Sequence, residues 1–131
     1  MTLLHSFTGG VDGAHPRAAL VQGRDGHFYG SASAGGAFGL GTLFVLNAQH
    51  ALTVLHAFAG ADGARPEAAL TLAADGKSLY VTCFEPAGTV LEVSADRKVA
   101  VKIAAGYGAT APVASPDGKR LFVCNRYDNS V

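Results

Sequence analysis

At 131 residues the chain has the length of one domain, enough to bury about two-thirds of its unfolded surface if it folds compactly. Ten basic and ten acidic residues leave no net charge, which removes any bulk electrostatic pull toward nucleic acid or an anionic membrane. Apolar residues make up 49% and charged residues only 15%, with 17 glycines, a composition that argues against disorder and suits short strands joined by tight turns.

In chain order, residues 2–7 read as a strand, and the better-defined residues 52–58 match them. Leu52, Val54, His56 and Phe58 fall on one face there, and Thr53, Leu55 and Ala57 on the other. Residues 9–13, and their copy at 60–63, have the Gly and Asp chemistry of a turn. A short strand is expected at 18–22, a hairpin turn at Arg24-Asp25-Gly26, and a second strand at 28–32. The Gly-rich residues 33–41 form a loop, followed by strands at 42–46 and 52–58. The order then repeats, with strands at 68–72, 78–83, 89–93 and 98–104, and hairpin turns at Asp75-Gly76 and 95–97. A third unit opens with strands at 112–114 and 120–125 around Pro116-Asp117-Gly118. A helix over 66–74 competes on composition, with Pro and Glu early and Gly76 as a stop. The third unit argues against it, because Pro116 falls where that helix would still run and would remove a donor.

The repeat itself is explicit. Leu55 to Leu70 copies Leu4 to Leu20 with one loop residue fewer, and the Asp-Gly turns at Asp25, Asp75 and Asp117 lie 50 and 42 positions apart. A four-stranded meander at this period is the signature of a β-propeller blade. The fold expected is therefore all-β, made of consecutive four-stranded antiparallel blades of an incomplete propeller. Residues 1–131 form a single partial propeller: 1–7 as the last strand of a preceding blade, 18–58 and 68–104 as blades, and 112–131 as the first half of another. Propellers close with about four or more blades, so the expectation is a fragment of a larger propeller or a piece that must assemble.

Two cysteines, Cys83 and Cys124, are too few for a disulfide framework or a zinc site. Counted from the Asp-Gly turn, Cys124 matches Thr82 and not Cys83, so the two point to opposite faces of their sheets. Sheets pack about 10 Å apart while a disulfide needs Cα atoms within roughly 7 Å, so two buried thiols are expected. No apolar run approaches the roughly 18 residues of a membrane span. Met1 opens without the basic start of a signal peptide and has only Leu3-Leu4 before His5.

Candidate chemistry is sparse. Gly36-Ala37-Phe38-Gly39-Leu40-Gly41 lacks the order of a dinucleotide loop and opens no helix, so it reads as a strand connection. Asp12, Asp25, Asp62, Asp75 and Asp117 all precede Gly, which is the turn role of Asp and not the spacing of a calcium loop. His5 and His56 recur on equivalent strands, but repetition explains that, and no carboxylate or second His near them in sequence completes a metal site. Ser6 and Ser115 lack the His-Asp context of a nucleophile. Arg65, Arg126 and Tyr127 lie in loops, within reach of a ligand or simply solvated. No catalytic, cofactor-binding or metal-binding residue is assigned, and no cofactor is expected.

Two stretches resemble known repeats. Ser115 to Asn125, and Asp75 to Ser94 with its Gly88-Thr89-Val90-Leu91-Glu92-Val93, resemble the YVTN-type β-propeller repeat, across residues 66–131. The Asn of that signature stands as Asn125 but is replaced by Cys83 in the second unit. Residues 4–70, with Leu4-His5-Ser6-Phe7-Thr8-Gly9-Gly10 and Gly41-Thr42-Leu43-Phe44, resemble the GloVer-type tandem repeat. These resemblances imply a propeller-type binding or scaffolding module of a surface-exposed or exported bacterial protein, outside the cytoplasm in its full-length form. The expected partners are the remaining blades of a larger propeller or self-association through open sheet faces, with a protein or carbohydrate ligand and no nucleic acid. The rival reading is an enzyme, because YVTN-like blades also resemble those of seven-bladed lactonase-type hydrolases. Propellers host many unrelated functions, so the fold does not choose between them.

Overall fold

Apolar residues at alternate positions, interrupted by Asp-Gly and Asn turns, force the chain to double back each time a strand has buried one edge. The computed structural model describes residues 3–60, 64–67, 70–73, 78–83, 89–94, 98–104, 112–117 and 119–123, with backbone only over 99–104. Ten strands are formed among them: β1 (Val21–Gln22), β2 (Phe28–Ala32), β3 (Thr42–Leu46), β4 (Leu52–Ala57), β5 (Thr71–Leu72), β6 (Leu79–Cys83), β7 (Thr89–Val93), β8 (Val99–Ala104), β9 (Val113–Ala114) and β10 (Leu121–Phe122). They build two four-stranded sheets, in the orders β1-β2-β3-β4 and β5-β6-β7-β8, and a two-stranded β9-β10 sheet. Every strand pair is antiparallel, and there is no helix among the described residues. The molecule is all-β, with consecutive meanders of blade type. The competing helix over 66–74 is absent from its described part, where Thr71–Leu72 is strand.

Register converts the sequence repeat into a structural one. Val21 pairs with Tyr29, Thr71 with Tyr80 and Val113 with Phe122, so these pairs hold one position in units 1, 2 and 3. Successive side chains alternate between the two sheet faces. In unit 2, Leu79, Val81 and Cys83 of β6 join Leu91 and Val93 of β7 and Leu70, all at most 4% exposed. Against them lie Leu43 and Phe58, with Val21, Tyr29, Leu40 and Leu55, from unit 1. Burying each Leu- or Phe-sized side chain is worth roughly 1.5–3 kcal/mol, so this layer is the main source of cohesion between the units. The opposite face of unit 1 carries a smaller cluster, Ala32, Phe44 and Leu46, with Leu4, Phe7, Phe28 and Leu52 packed on it. Cys83 is fully buried in the larger layer; Cys124 lies outside the described residues.

Some expected strands are shorter than the sequence suggested. β1, β5 and β9 each have two residues, and each stands at the edge of its sheet. Opposite Leu20 stands Gly30, whose missing Cβ leaves room for Leu20 and Phe44: a Cβ there would lie 2.6 Å from Leu20 Cδ2 and 2.5 Å from Phe44 Cζ. Residues 3–7 form no ladder, although a strand was expected over 2–7. A fourth strand needs a third beside it, and none of the described strands lies there; Leu4 and Phe7 hold the segment by packing instead. The end of the expected strand at 120–125 lies outside the described residues.

Candidate functional site

In a meander the β2-β3 connection and the unit-to-unit connection emerge at the same end of the sheet. The loop at 8–16, the loop at 33–41 and the described parts of the next connection, 58–60 and 64–67, meet at this end. Ala14 bridges Ala34 through hydrogen bonds of 2.7 and 3.1 Å, and the Ser33 amide and hydroxyl both donate to the His15 carbonyl at 3.2 Å. The Gly36 amide reaches the Gly10 carbonyl at 2.8 Å. On the other side, the Phe58 amide donates to the Gly41 carbonyl at 3.0 Å and the Arg65 amide to the Leu40 carbonyl at 2.9 Å. The Ser31 hydroxyl donates to the Pro66 carbonyl at 3.4 Å. Residues 36–41 are thus a strand connection, as expected, pinned between two unit connections. Gly41 sits at φ 106°, where a Cβ would lie 2.6 Å from the Ala32 carbonyl oxygen and 2.7 Å from Pro66 Cδ.

Asp12 organises the first of these loops. Its carboxylate accepts the Thr8 amide at 3.0 Å and the Thr8 hydroxyl at 2.5 Å, and lies 3.2 Å from His5 Nε2. The Thr8 hydroxyl, then the Thr8 amide, outweigh the modest desolvation and hold the carboxyl down at about 2. The sequence reading placed no carboxylate near His5; folding does, because positive φ at Gly9 and Gly13 turns the loop back on itself. His5 meets Phe7 edge-on at 4.9 Å, and Phe7 meets Phe44 at 5.0 Å. His56 and Phe58 repeat the first contact at 4.9 Å. The His5–Asp12 pair has the base-and-orienter form of a catalytic dyad, but the described residues bring no hydroxyl or thiol nucleophile to His5. No group of three His, Cys, Asp or Glu suited to a metal occurs among the described residues.

Asp25 and Asp117 act at the far end of their sheets. The Asp25 carboxylate accepts the His27 amide at 3.0 Å and the Tyr29 hydroxyl at 2.7 Å, and the Tyr29 bond does most to lower its pKa. Asp117 accepts the Lys119 amide at 3.0 Å and the Ser115 hydroxyl at 2.5 Å, the hydroxyl again lowering its pKa most. Ser115 in turn accepts the Arg120 amide at 3.0 Å, so its hydroxyl is committed to the turn. These are Asx turns, the local bond that makes Asp a turn residue. Asp62, Asp75, Arg126 and Tyr127 lie outside the described residues.

Two side chains on the loop face stand out. His15 at φ 54° and Arg65 at φ 53° hold the same repeat position, each directly before a proline. Left-handed backbone at a non-Gly residue costs of the order of 1–3 kcal/mol and concentrates at ligand-contacting positions. Both residues are exposed, and Arg65 Nη2 pairs with Glu67 Oε1 at 3.2 Å. This arrangement suits recognition of an acidic or hydrogen-bonding group at the loop face. The sequence reading singled out Arg65 and missed His15; aligning Asp12-Gly13-Ala14-His15-Pro16 with Asp62-Gly63-Ala64-Arg65-Pro66 was the signal for it.

No family model matches the chain, and no curated protein does. Among solved structures it is similar to a crystal structure from Bacteroides fragilis, provisionally assigned as a 6-phosphogluconolactonase, with a TM-score of 0.65 and 24% identity. The match covers 89% of this chain and 33% of that one, so the chain spans about a third of that structure. At this identity the likeness is one of fold, and the fold is propeller-like.

Proposed function

We propose that the chain is a binding or scaffolding module of propeller type, belonging to a surface-exposed or exported bacterial protein and recognising a protein or carbohydrate ligand at its loop face. The observation that carries this reading is the left-handed backbone shared by His15 and Arg65 at equivalent positions of consecutive units. The dispositions of Asp12, Asp25, Ser115 and Asp117 support it, since each is spent on holding a turn or loop. On the residue resemblances above, the repeats belong to the YVTN and GloVer types.

A second reading is favoured by the B. fragilis likeness: the chain as one part of a lactonase-like propeller hydrolase, whose catalytic groups lie on further blades around a central channel. One pair of experiments tests both. Calorimetric titration with acidic and neutral oligosaccharides should show saturable binding that His15→Ala and Arg65→Ala each weaken about tenfold or less, as expected for one lost polar contact. Binding unaffected by both substitutions would remove the loop face from the proposal. Hydrolysis of 6-phosphogluconolactone faster than its spontaneous rate by a longer polypeptide that joins this chain to the further blades, with no saturable oligosaccharide binding, would replace the first reading with the second.

A further inference from the structure

The two ends of the described structure carry parts of the two opposite sides of one interface. Where units 1 and 2 meet, the receiving side is Leu70, Leu79, Val81, Cys83, Leu91 and Val93, and the covering side includes Leu43, Phe58, Val21 and Tyr29. Strand register identifies the equivalents elsewhere. Val113 and Phe122 pair as Val21 and Tyr29 do, so they hold the covering positions of unit 3. There they are 63% and 48% exposed, two of the few large apolar side chains so placed. At the other end, Leu20 holds the position of Leu70. The residue is the same, yet Leu20 is 37% exposed and Leu70 only 4%. Unit 1 covers Leu70; over Leu20 there is a groove of about 180 Å³ walled by Leu4, Phe7, Pro16, Phe44 and Leu46.

We propose that the Val113–Phe122 face of one copy of this chain seats in the Leu20–Phe44 groove of a second copy, head to tail, repeating the contact that joins units 1 and 2. The occupant is a second copy because the groove calls for the aliphatic and aromatic pair of a covering face, and this chain exposes that pair itself. Zero net charge puts no bulk repulsion against the pairing. The contact uses two different patches, so it is heterologous, and each bound copy leaves one free face of each kind: association runs on to a closed ring or a filament and does not stop at a dimer.

Sedimentation velocity across a concentration series tests this with the full chain, Leu20→Glu and Phe122→Glu. The wild type should grow beyond dimer, and each variant alone should remain monomeric. An equimolar mixture of the two variants should form a dimer and nothing larger, because the mixture retains one intact contact. Leu20→Ser and Phe122→Ser serve as replacements if either Glu variant loses its strand circular dichroism. A monomeric wild type would overturn the proposal and leave the groove to a further blade of a longer polypeptide or to another protein. Self-association by either single variant, or a mixture that stays monomeric, would equally overturn it.

Discussion

Leu20 and Leu70 provide a matched pair in which sequence context is constant and only the covering layer differs. Leu→Ala removes three carbons, about 2.4 kcal/mol at roughly 0.8 kcal/mol per buried CH₂. Leu70, at 4% exposure, is enclosed by Leu43, Phe58, Val81 and Leu91. Its removal adds a cavity penalty, for a total of about 3–4 kcal/mol within the range of buried Leu→Ala changes. Leu20 keeps about two-thirds of that burial and faces an open groove into which water can move, so its loss is about 1.6 kcal/mol with no cavity penalty. Urea unfolding followed by circular dichroism at low protein concentration should therefore separate the two variants by about 2 kcal/mol. Raising the concentration should stabilise the wild type and the Leu70→Ala variant by mass action, and the Leu20→Ala variant less. Equal losses at low concentration would refute the reasoning, since the two positions would then be equally covered.

The Asp12 carboxyl, lowered from 3.8 to about 2 by Thr8, has its contribution to stability fully present above 3.8 and lost as pH falls from there toward 2. Thr8→Ala should raise the Asp12 pKa, read from its side-chain carbon shift by NMR; an unmoved value would show that the Thr8 hydroxyl is not the cause. Gly41→Ala should cost about 1–3 kcal/mol for its left-handed backbone alone. It should also speed amide exchange at Phe58 and Arg65, whose amides bond the Gly41 and Leu40 carbonyls; unchanged exchange would mean that the 33–41 loop does not pin the unit connection.

The parts of the fold written locally were legible. Strands β2, β3 and β7 occupy the residues expected of them, because each is a five-residue stretch led by aromatic, β-branched or Leu residues with a turn or Gly-rich loop at its ends. Asp25 and Asp117 close turns with their own neighbours, a bond that sequence spacing alone implies. What depends on distant residues was not legible. Residues 3–7 have the composition of a strand, but a ladder needs a neighbour, and composition does not say whether one is present. Asp12 breaks the turn pattern by reaching back to Thr8 and His5, which requires the particular dihedrals of Gly9 and Gly13. The left-handed His15 stands directly after Ala14, which pairs with Ala34 twenty residues along the chain.

Units 1 and 2 pack face to face as consecutive blades, and methyl NOE spectroscopy on protein labelled at Leu and Val measures this directly. Cross-peaks are expected from the Leu43 and Leu55 methyls to the group formed by Leu70, Val81 and Leu91. These should persist in Leu20→Glu, where association between copies is removed. Strong contacts within each unit with none between Leu43 and the unit 2 group would contradict this packing.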